Sequence, residues 1–190
     1  MTGWRAIIPL NLGRERKTRL AGRLSASERE HLVEAMALHV INQLRAAPSV
    51  AEVRVLSPAK PGFSGVQWLK DTGDGLNQEL ARVLGGERVL VIHADLPLLA
   101  ANEVEALLRE AVDAGAAIAP DRLGTGTNAL ALTQATSFVP AFGEGSFARH
   151  RALLPNAALV ERPGLQIDVD TPEDLELALK SGATSIACPI

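Results

Sequence analysis

One apolar run that leads into an acidic residue constrains this chain more than any other stretch. Residues 89–92 are Val, Leu, Val and Ile, a pattern typical of a strand that is buried on both faces. Asp95 comes three residues later, and Pro97 cannot continue a central strand. The pattern predicts a carboxylate just beyond the C-terminal end of a central strand, where open α/β sheets bind their ligands. Capping of the following loop or helix is the alternative role for Asp95.

The composition is that of an ordinary globular protein. The chain has 190 residues, of which 47% are hydrophobic and 22% charged, and this predicts one domain over residues 1–190 with a substantial core. The net charge of −3, without a block of basic residues, argues against nucleic acid as the main partner. A single cysteine excludes an internal disulfide and a cysteine metal cluster. With no signal peptide and no apolar run of about 20 residues, a cytoplasmic protein without membrane contact is expected.

The other apolar runs predict strands that are separated by helices. Further strands are predicted over residues 6–10, 53–56, 66–69, 116–120, 129–132 and 165–170. Helices are predicted after the capping box at residues 25–28, over residues 76–84, between Asn102 and Gly115, after residues 143–145, and after Thr171 and Pro172. This order indicates an α/β fold with a mostly parallel sheet and helices on both sides.

Two more acids stand close together near the end of the chain. Asp168 and Asp170 are two apart on a predicted strand, so their side chains would share one face. If they meet Asp95, the three like charges repel, and a divalent cation is the simplest relief. Mg²⁺ prefers a few carboxylates together with phosphate oxygens of a substrate. The alternatives are helix capping for Asp170 and a turn contact for Asp168.

The loop after the first strand and two glycine-rich turns suit a phosphorylated ligand. Four cations occupy six positions in the loop, namely Arg14, Arg16, Lys17 and Arg19. They could cradle a polyphosphate or form a solvated basic loop, and the spacing of a P-loop is missing. Residues 71–77 and 142–150 each place glycines before a predicted helix, which allows close approach of an anion or simply a tight turn.

In order along the chain, these motifs resemble the guanylyltransferases of coenzyme F420 biosynthesis. The matching stretches are residues 17–21 (KTRLA), 74–77 (DGLN), 94–97 (ADLP), 126–128 (GTN) with 143–150, and 168–170 (DVD). The resemblance covers nearly the whole chain. It implies a three-layer, glycosyltransferase-A-like nucleotidyltransferase fold with a mixed, mainly parallel central sheet. It also implies transfer of GMP from GTP to 2-phospho-L-lactate, phosphoenolpyruvate or 3-phosphoglycerate, with release of pyrophosphate, and its family habit favours a homodimer.

The resemblance also assigns roles to individual positions. The family's Mg²⁺ ligands correspond to Asp95, Asp168 and Asp170. The loop that handles the triphosphate contains Arg14, Lys17 and Arg19, and Lys17 and Asp95 are the candidate catalytic residues. The family contacts the nucleotide at the positions of Asp74, Gly75 and Asn77. It holds the phosphoacid at the positions of Thr127, Gly143 and Ser146.

One position departs from the family pattern, and two other functions stay open. The family usually has a lysine after the first strand, where this chain has Asn11; Asn11 is therefore a candidate determinant of the phosphoacid. One alternative function is another nucleotidyltransferase of the same fold, for example one that uses CTP. The other is a nucleotide-binding protein without catalysis, which would have no need for three acids and a cationic loop at one sheet edge.

Overall fold

Seven strands form one sheet in the computed structural model, which describes residues 3–11 and 17–186. The strands are β1 (Trp4–Pro9), β2 (Val50–Ser57), β3 (Gln67–Lys70), β4 (Glu87–Ile92), β5 (Ala116–Pro120), β6 (Thr127–Gln134) and β7 (Ala158–Leu159). The helices are α1 (Ala26–Ala46), α2 (Leu76–Val83), α3 (Ala101–Ala114), α4 (Ser146–Leu153), α5 (Pro163–Gln166) and α6 (Pro172–Lys180). Short 3-10 turns span Thr18–Leu20 and Thr184–Ile186.

The strand order is β3-β2-β1-β4-β6-β5-β7. All neighbouring strands run parallel except β6, which is antiparallel to both β4 and β5. The chain winds outward from β1 to β2 and β3, and then returns to place β4 on the other side of β1. The carboxyl ends of β1 and β4 therefore flank the point where the winding reverses, which is where α/β sheets bind ligands.

Helices cover both faces of the sheet, so the molecule has three layers. One apolar cluster joins the sheet to α1, α3, α5 and α6, and the other joins the opposite face to α2 and to the segment around α4. Residues 89–92 of β4 are buried to 1% exposure or less, as predicted for a strand covered on both faces. The predicted three-layer fold with a mixed, mainly parallel sheet is confirmed. Within the described residues, no helix combines the length and apolar character that crossing a membrane requires.

Most predicted helix ends are confirmed, with one exception. Ser25 and Glu28 form the capping box of α1, and Gly115 adopts a left-handed conformation (φ 85°) that ends α3. The prediction that Asn102 caps α3 is wrong, because the helix already begins at Ala101. The carboxylate of Glu103 accepts the N–H of Ala100 at 3.1 Å and so satisfies a free donor there.

The predicted last strand over residues 165–170 is also wrong. Its first residues form α5, with Pro163 at the first helical turn, and residues 167–170 continue as an extended segment outside the sheet. Leu165 and Val169 are fully buried against the core, so their apolar character has a packing role that does not need strand neighbours. The place beside β5 is taken by β7 instead.

Gly164 holds this segment against the start of α3. A Cβ at this position would lie 2.5 Å from the carbonyl oxygen of Leu98 and 2.8 Å from the Cα of Leu99. We expect Gly164→Ala to lower the free energy of unfolding by about 1–3 kcal/mol, because backbone atoms cannot yield as a flexible side chain would. Urea denaturation measures the change. Gly62→Ala is the matched control, since nothing lies within 4 Å of its added methyl, and an equal loss in both variants would contradict this explanation.

Candidate active site

A buried ammonium group connects two acids at the carboxyl edge of the sheet. The Nζ of Lys17 lies 2.6 Å from Oδ2 of Asp95 and 2.6 Å from Oδ1 of Asp170, and it donates a hydrogen bond to each. The Lys17 side chain is only 11% exposed, whereas that of Asp170 is 52% exposed. Three segments that are far apart in the sequence therefore meet at one charged contact.

Local structure positions each of the three groups. Lys17 has a left-handed backbone (φ 50°) at the start of the Thr18–Leu20 turn. Asp95 follows β4, and its carbonyl oxygen accepts the N–H of Val169 at 3.2 Å, which ties the 167–170 segment to this edge. Asp170 immediately precedes α6, where Thr171 and Asp174 form a capping box that fixes the first turn.

The charges stabilise one another. Burial alone would lower the pKa of Lys17, but the carboxylates of Asp95 and Asp170 outweigh burial and raise it above its usual value. Burial alone would raise the pKa of Asp95, yet the Lys17 ammonium holds it below the usual range. Both groups are therefore charged at neutral pH, as a buried ion pair requires.

Asp168 adds a third carboxylate to the cluster, and among the described residues no cation pairs with it. Burial and the negative charges of Asp95 and Asp170 raise the pKa of Asp168 from 3.8 to about 6. The Nδ2 of Asn128 donates to its Oδ1 at 3.2 Å and opposes part of that shift. The structure thus brings the three predicted acids together, although Asp168 and Asp170 lie on an extended segment after α5 instead of on a strand.

A β-bulge aims Asn128 at this cluster. In the pairing of β5 with β6, Ala119 faces Ala129 but Pro120 faces Thr127, so Asn128 is the extra residue. Its Nδ2 also lies within hydrogen-bonding distance of the carbonyl oxygens of Leu165 and Gln166 at the end of α5. Asn128 was not predicted as a site residue, and its only sequence signal is its place after Gly126 and Thr127.

The donor set is of the kind that holds a divalent cation. The Lys17 ammonium lies between the carboxylates of Asp95 and Asp170, and Asp168 adds a third carboxylate beside them. The Oδ1 of Asp95 is buried without a hydrogen-bond donor among the described residues. Within residues 3–11 and 17–186, no group of three such side chains is arranged so that it could hold a metal ion. The roles of these acids as metal ligands stay predictions.

A cleft of about 400 Å³ opens beside the cluster. Lys17, His93 and Asp95 line one part of it, and Asn11 lies after β1 in the same cleft. Further along, its wall is apolar and includes Leu10, Leu56, Pro58 and Leu76. An apolar wall that leads to a charged end suits a ligand with a flat base and a phosphorylated end.

The predicted nucleotide contacts differ in whether they line the cleft. Gly75, which precedes α2 with φ 97°, lines the cleft. Asp74 is exposed and forms an ion pair with Arg82, and Asn77 exchanges two hydrogen bonds with the backbone of Phe142. Arg19 is exposed on the Thr18–Leu20 turn, and Arg14 lies outside the described residues. Each of these nucleotide assignments stays a prediction.

The predicted phosphoacid contacts cluster on α4 and the strand beside it. Thr127 and Ser146 are buried, and Gly143 has a φ of 110° in the turn before α4. The Oγ1 of Thr127 lies 2.9 Å from Nδ1 of His150. Burial and the charge of Arg149 lower the pKa of His150 to about 4, so this imidazole is neutral and serves packing and hydrogen bonding. The phosphoacid assignments also stay predictions.

Glu79 organises the turn before α2 and was missed by sequence reasoning. Its buried carboxylate accepts the backbone N–H groups of Thr72 and Asp74, the hydroxyl of Thr72 and a guanidinium N–H of Arg82. The hydrogen bonds from Thr72 lead the causes that lower the pKa of Glu79 to about 2. Its only signal in the sequence is an acid four residues after Gly75, in the first turn of the helix.

We predict that removing the charge of Asp168 stabilises the protein, by an amount that depends on pH. Folding raises the pKa of Asp168 from 3.8 to about 6, so between these pH values the folded protein holds a proton that the unfolded chain has lost. The free-energy cost of placing the ionised Asp168 in the folded protein is therefore absent below pH 4 and complete above pH 6. We expect Asp168→Asn to raise the free energy of unfolding by about 1 kcal/mol at pH 7.5 in a chelator, and by about a third of that at pH 4.5. Denaturant titration at both pH values measures this, and a loss of stability at pH 7.5 would contradict it.

Two solved structures share this fold. A protein from Desulfovibrio desulfuricans G20, described as a candidate nucleotide-diphospho-sugar transferase, matches with a TM-score of 0.76 over 97% of this chain and 90% of that chain, at 16% identity. A 4-diphosphocytidyl-2C-methyl-D-erythritol synthase matches with a TM-score of 0.63 over 94% and 97%, at 15% identity. At these identities the likeness concerns the fold alone.

The family follows from sequence similarity. The model of the family described as "Guanylyl transferase CofC like" matches residues 4–186. The phosphoenolpyruvate guanylyltransferase of Sphaerobacter thermophilus is 39% identical over 186 residues, which cover 90% of this chain and 90% of that protein. The matched region contains the Lys17 contact, the three acids and the cleft beside them. This chain therefore belongs to the CofC-like guanylyltransferases and is a nucleotidyltransferase.

Proposed function

We propose that this enzyme transfers GMP from GTP to the phosphate of a small phosphoacid and releases pyrophosphate, as a step of coenzyme F420 biosynthesis. The name of the Sphaerobacter thermophilus relative favours phosphoenolpyruvate as the acceptor. The closely related acids 2-phospho-L-lactate and 3-phosphoglycerate are the other candidates. Family membership supports guanylyl transfer, and the acceptor is the part of the proposal that experiment must decide.

The charged cluster beside the cleft is the observation that carries this proposal. Lys17, Asp95 and Asp170 meet where the winding of the sheet reverses, and Asp168 adds a third carboxylate. A protein that only bound nucleotide could neutralise phosphate with cations alone. Three acids beside one ammonium suit a site that must manage changing charge during phosphoryl transfer.

The proposed reaction needs positioning more than acid–base chemistry. A phosphate oxygen of the acceptor attacks the α-phosphorus of GTP, and a new P–O bond forms as the bond from the α-phosphorus to the bridging oxygen breaks. Pyrophosphate departs with that oxygen. The acceptor phosphate is already an anion at pH 7, because the second pKa of a phosphate monoester is about 6. No general base and no enzyme nucleophile are required.

The proposed site residues divide this work. Asp95, Asp168 and Asp170 would hold a Mg²⁺ ion, which supplies positive charge to the phosphate oxygens when bound. Lys17 neutralises triphosphate charge from the loop after β1. Thr127, Gly143 and Ser146 are the candidates that hold the acceptor. The low exposure of Lys17 and Asp95 strengthens their electrostatic contacts relative to water.

Pyrophosphate release tests the proposal. GTP, ATP and CTP are each combined with phosphoenolpyruvate, 2-phospho-L-lactate and 3-phosphoglycerate in the presence of Mg²⁺, and pyrophosphate is measured by a coupled assay. We expect release with GTP and at least one of the three acids. Comparable rates with CTP would favour the alternative nucleotidyltransferase, and no release with any pair would contradict transfer to these phosphoacids.

Asp95→Asn tests the catalytic role of the cluster. The substitution keeps the shape of the side chain but removes its charge, so we expect kcat to fall by about 100-fold or more. The urea midpoint also falls, because Lys17 loses one of its two carboxylate partners, but by too little to unfold the enzyme in the assay. Asp113→Asn, on the exposed side of α3, is the matched control. A rate for Asp95→Asn close to that of the control would remove Asp95 from the catalytic group.

Asn11→Lys tests how the acceptor is selected. Asn11 lines the cleft after β1, and a lysine there would add a charged hydrogen-bond donor, worth about 1.5–3 kcal/mol against about 1 kcal/mol for a neutral one. We expect the substitution to change the order of preference among the three acceptors. Steady-state kcat/KM values with each acid measure it. If all three stay within about twofold, or ~0.4 kcal/mol, Asn11 does not set acceptor choice.

A further inference from the structure

The cleft crosses the ends of four neighbouring parallel strands. Asp95 follows β4, Asn11 follows β1, Pro58 follows β2 and Asp71 follows β3, and all four residues line the cleft. Adjacent strands are about 4.8 Å apart, so the end of β3 lies roughly 14 Å from the end of β4. An extended nucleoside triphosphate spans a distance of this order. With its phosphates beside Lys17 and Asp95, the base reaches the end of β3.

Asp71 presents an available carboxylate at that end. Its backbone N–H donates to the carbonyl oxygen of Ser57 at 3.0 Å, which fixes the residue between β2 and β3. Its Oδ1 accepts the N–H of Gly73 at 2.7 Å, which orients the side chain. Within residues 3–11 and 17–186, no other group donates to this carboxylate, and the nearby cation Arg82 is already paired with Asp74 and Glu79.

The surroundings of Asp71 suit a flat heterocycle. Leu56, Pro58 and Leu76 supply apolar wall at this part of the cleft. Gly73 and Gly75 also line this part of the cleft, with φ values of 95° and 97°. Because glycine has no side chain, neither residue narrows the cleft. The only side-chain anion that lines this end of the cleft, among the described residues, is Asp71.

We propose that Asp71 is the residue that selects guanine, by accepting hydrogen bonds from N1–H and the exocyclic N2 amino group of the base. This inference rests on the proposed use of GTP. A carboxylate only accepts hydrogen bonds, and the Watson–Crick edge of guanine offers two adjacent donors. Adenine and cytosine each place a ring nitrogen acceptor on that edge, which a carboxylate repels. Selectivity against them then follows because the Asp71 carboxylate faces an acceptor and makes no hydrogen bond to the base.

Asp71→Asn with xanthosine triphosphate is the decisive experiment. Xanthine carries an oxygen where guanine carries the N2 amino group, so an asparagine amide can donate to it while a carboxylate cannot. We expect kcat/KM with GTP to fall by about 10- to 100-fold, as for a lost charge-assisted hydrogen bond, mainly through KM. The value with xanthosine triphosphate should rise, so that the ratio of the two nucleotides changes in favour of xanthine.

Two Asp→Asn controls separate this effect from general damage. Asp113→Asn on α3 should leave the nucleotide ratio unchanged. Asp74→Asn tests the neighbouring acid of the same turn, and a switch toward xanthine in Asp74→Asn but not in Asp71→Asn would assign guanine selection to Asp74. A loss of activity in Asp71→Asn with an unchanged ratio would overturn the inference while leaving guanylyl transfer intact.

The wild-type enzyme provides a test that does not depend on the variant folding. Inosine triphosphate keeps N1–H but lacks the N2 amino group, so we expect its kcat/KM to be about tenfold or more below that of GTP. Equal use of both nucleotides would overturn recognition of N2 by Asp71. A wild-type enzyme that prefers CTP or ATP to GTP would overturn the proposed function itself, which is a different result from either failure above.

Discussion

The contact of the Lys17 ammonium with two carboxylates is the interaction on which the rest of the site depends. A buried charge is stable only when it is paired, so the Asp95 carboxylate and the Lys17 ammonium each need the other, and Asp170 adds a second, more exposed partner. Asp168 lies beside both acids, and burial together with their negative charges raises its pKa. A bound cation would relieve the repulsion among the three carboxylates.

The strand order of the sheet brings the segments that carry the site residues to one edge. The reversal of winding puts β1 beside β4, so the loop that carries Lys17 meets the segment that carries Asp95. The bulge in β6 directs Asn128 to Asp168, and the capping box of α6 holds Asp170. The ends of β2 and β3 extend the same edge away from the charges, which gives a long ligand a charged end and an apolar end.

The sequence was sufficient for the fold and for the acids, because buried apolar runs and strand-end charges are local signals. It was insufficient for residues whose conformation or role depends on tertiary contacts. Leu165 and Val169 carry a strand-like pattern but are buried by tertiary contacts outside the sheet. The role of Asn128 depends on a bulge between two strands, and no local pattern encodes it. Asp74 stands among the glycines of the turn at residues 71–77 yet pairs with Arg82. Asp71 opens the same turn and lines the cleft, and the glycine pattern alone does not distinguish the two acids.

The central claim is that Asp95, Asp168 and Asp170 form one cation site that Lys17 shares. Anomalous diffraction from crystals soaked with Mn²⁺ and a non-hydrolysable GTP analogue tests it most directly. The account predicts one Mn²⁺ peak among the three carboxylates, phosphate oxygens in contact with the ion, and the Nζ of Lys17 moved from between Asp95 and Asp170 toward the phosphates. A Mn²⁺ ion bound elsewhere, with Lys17 still bridging the two acids while the nucleotide is bound, would contradict it.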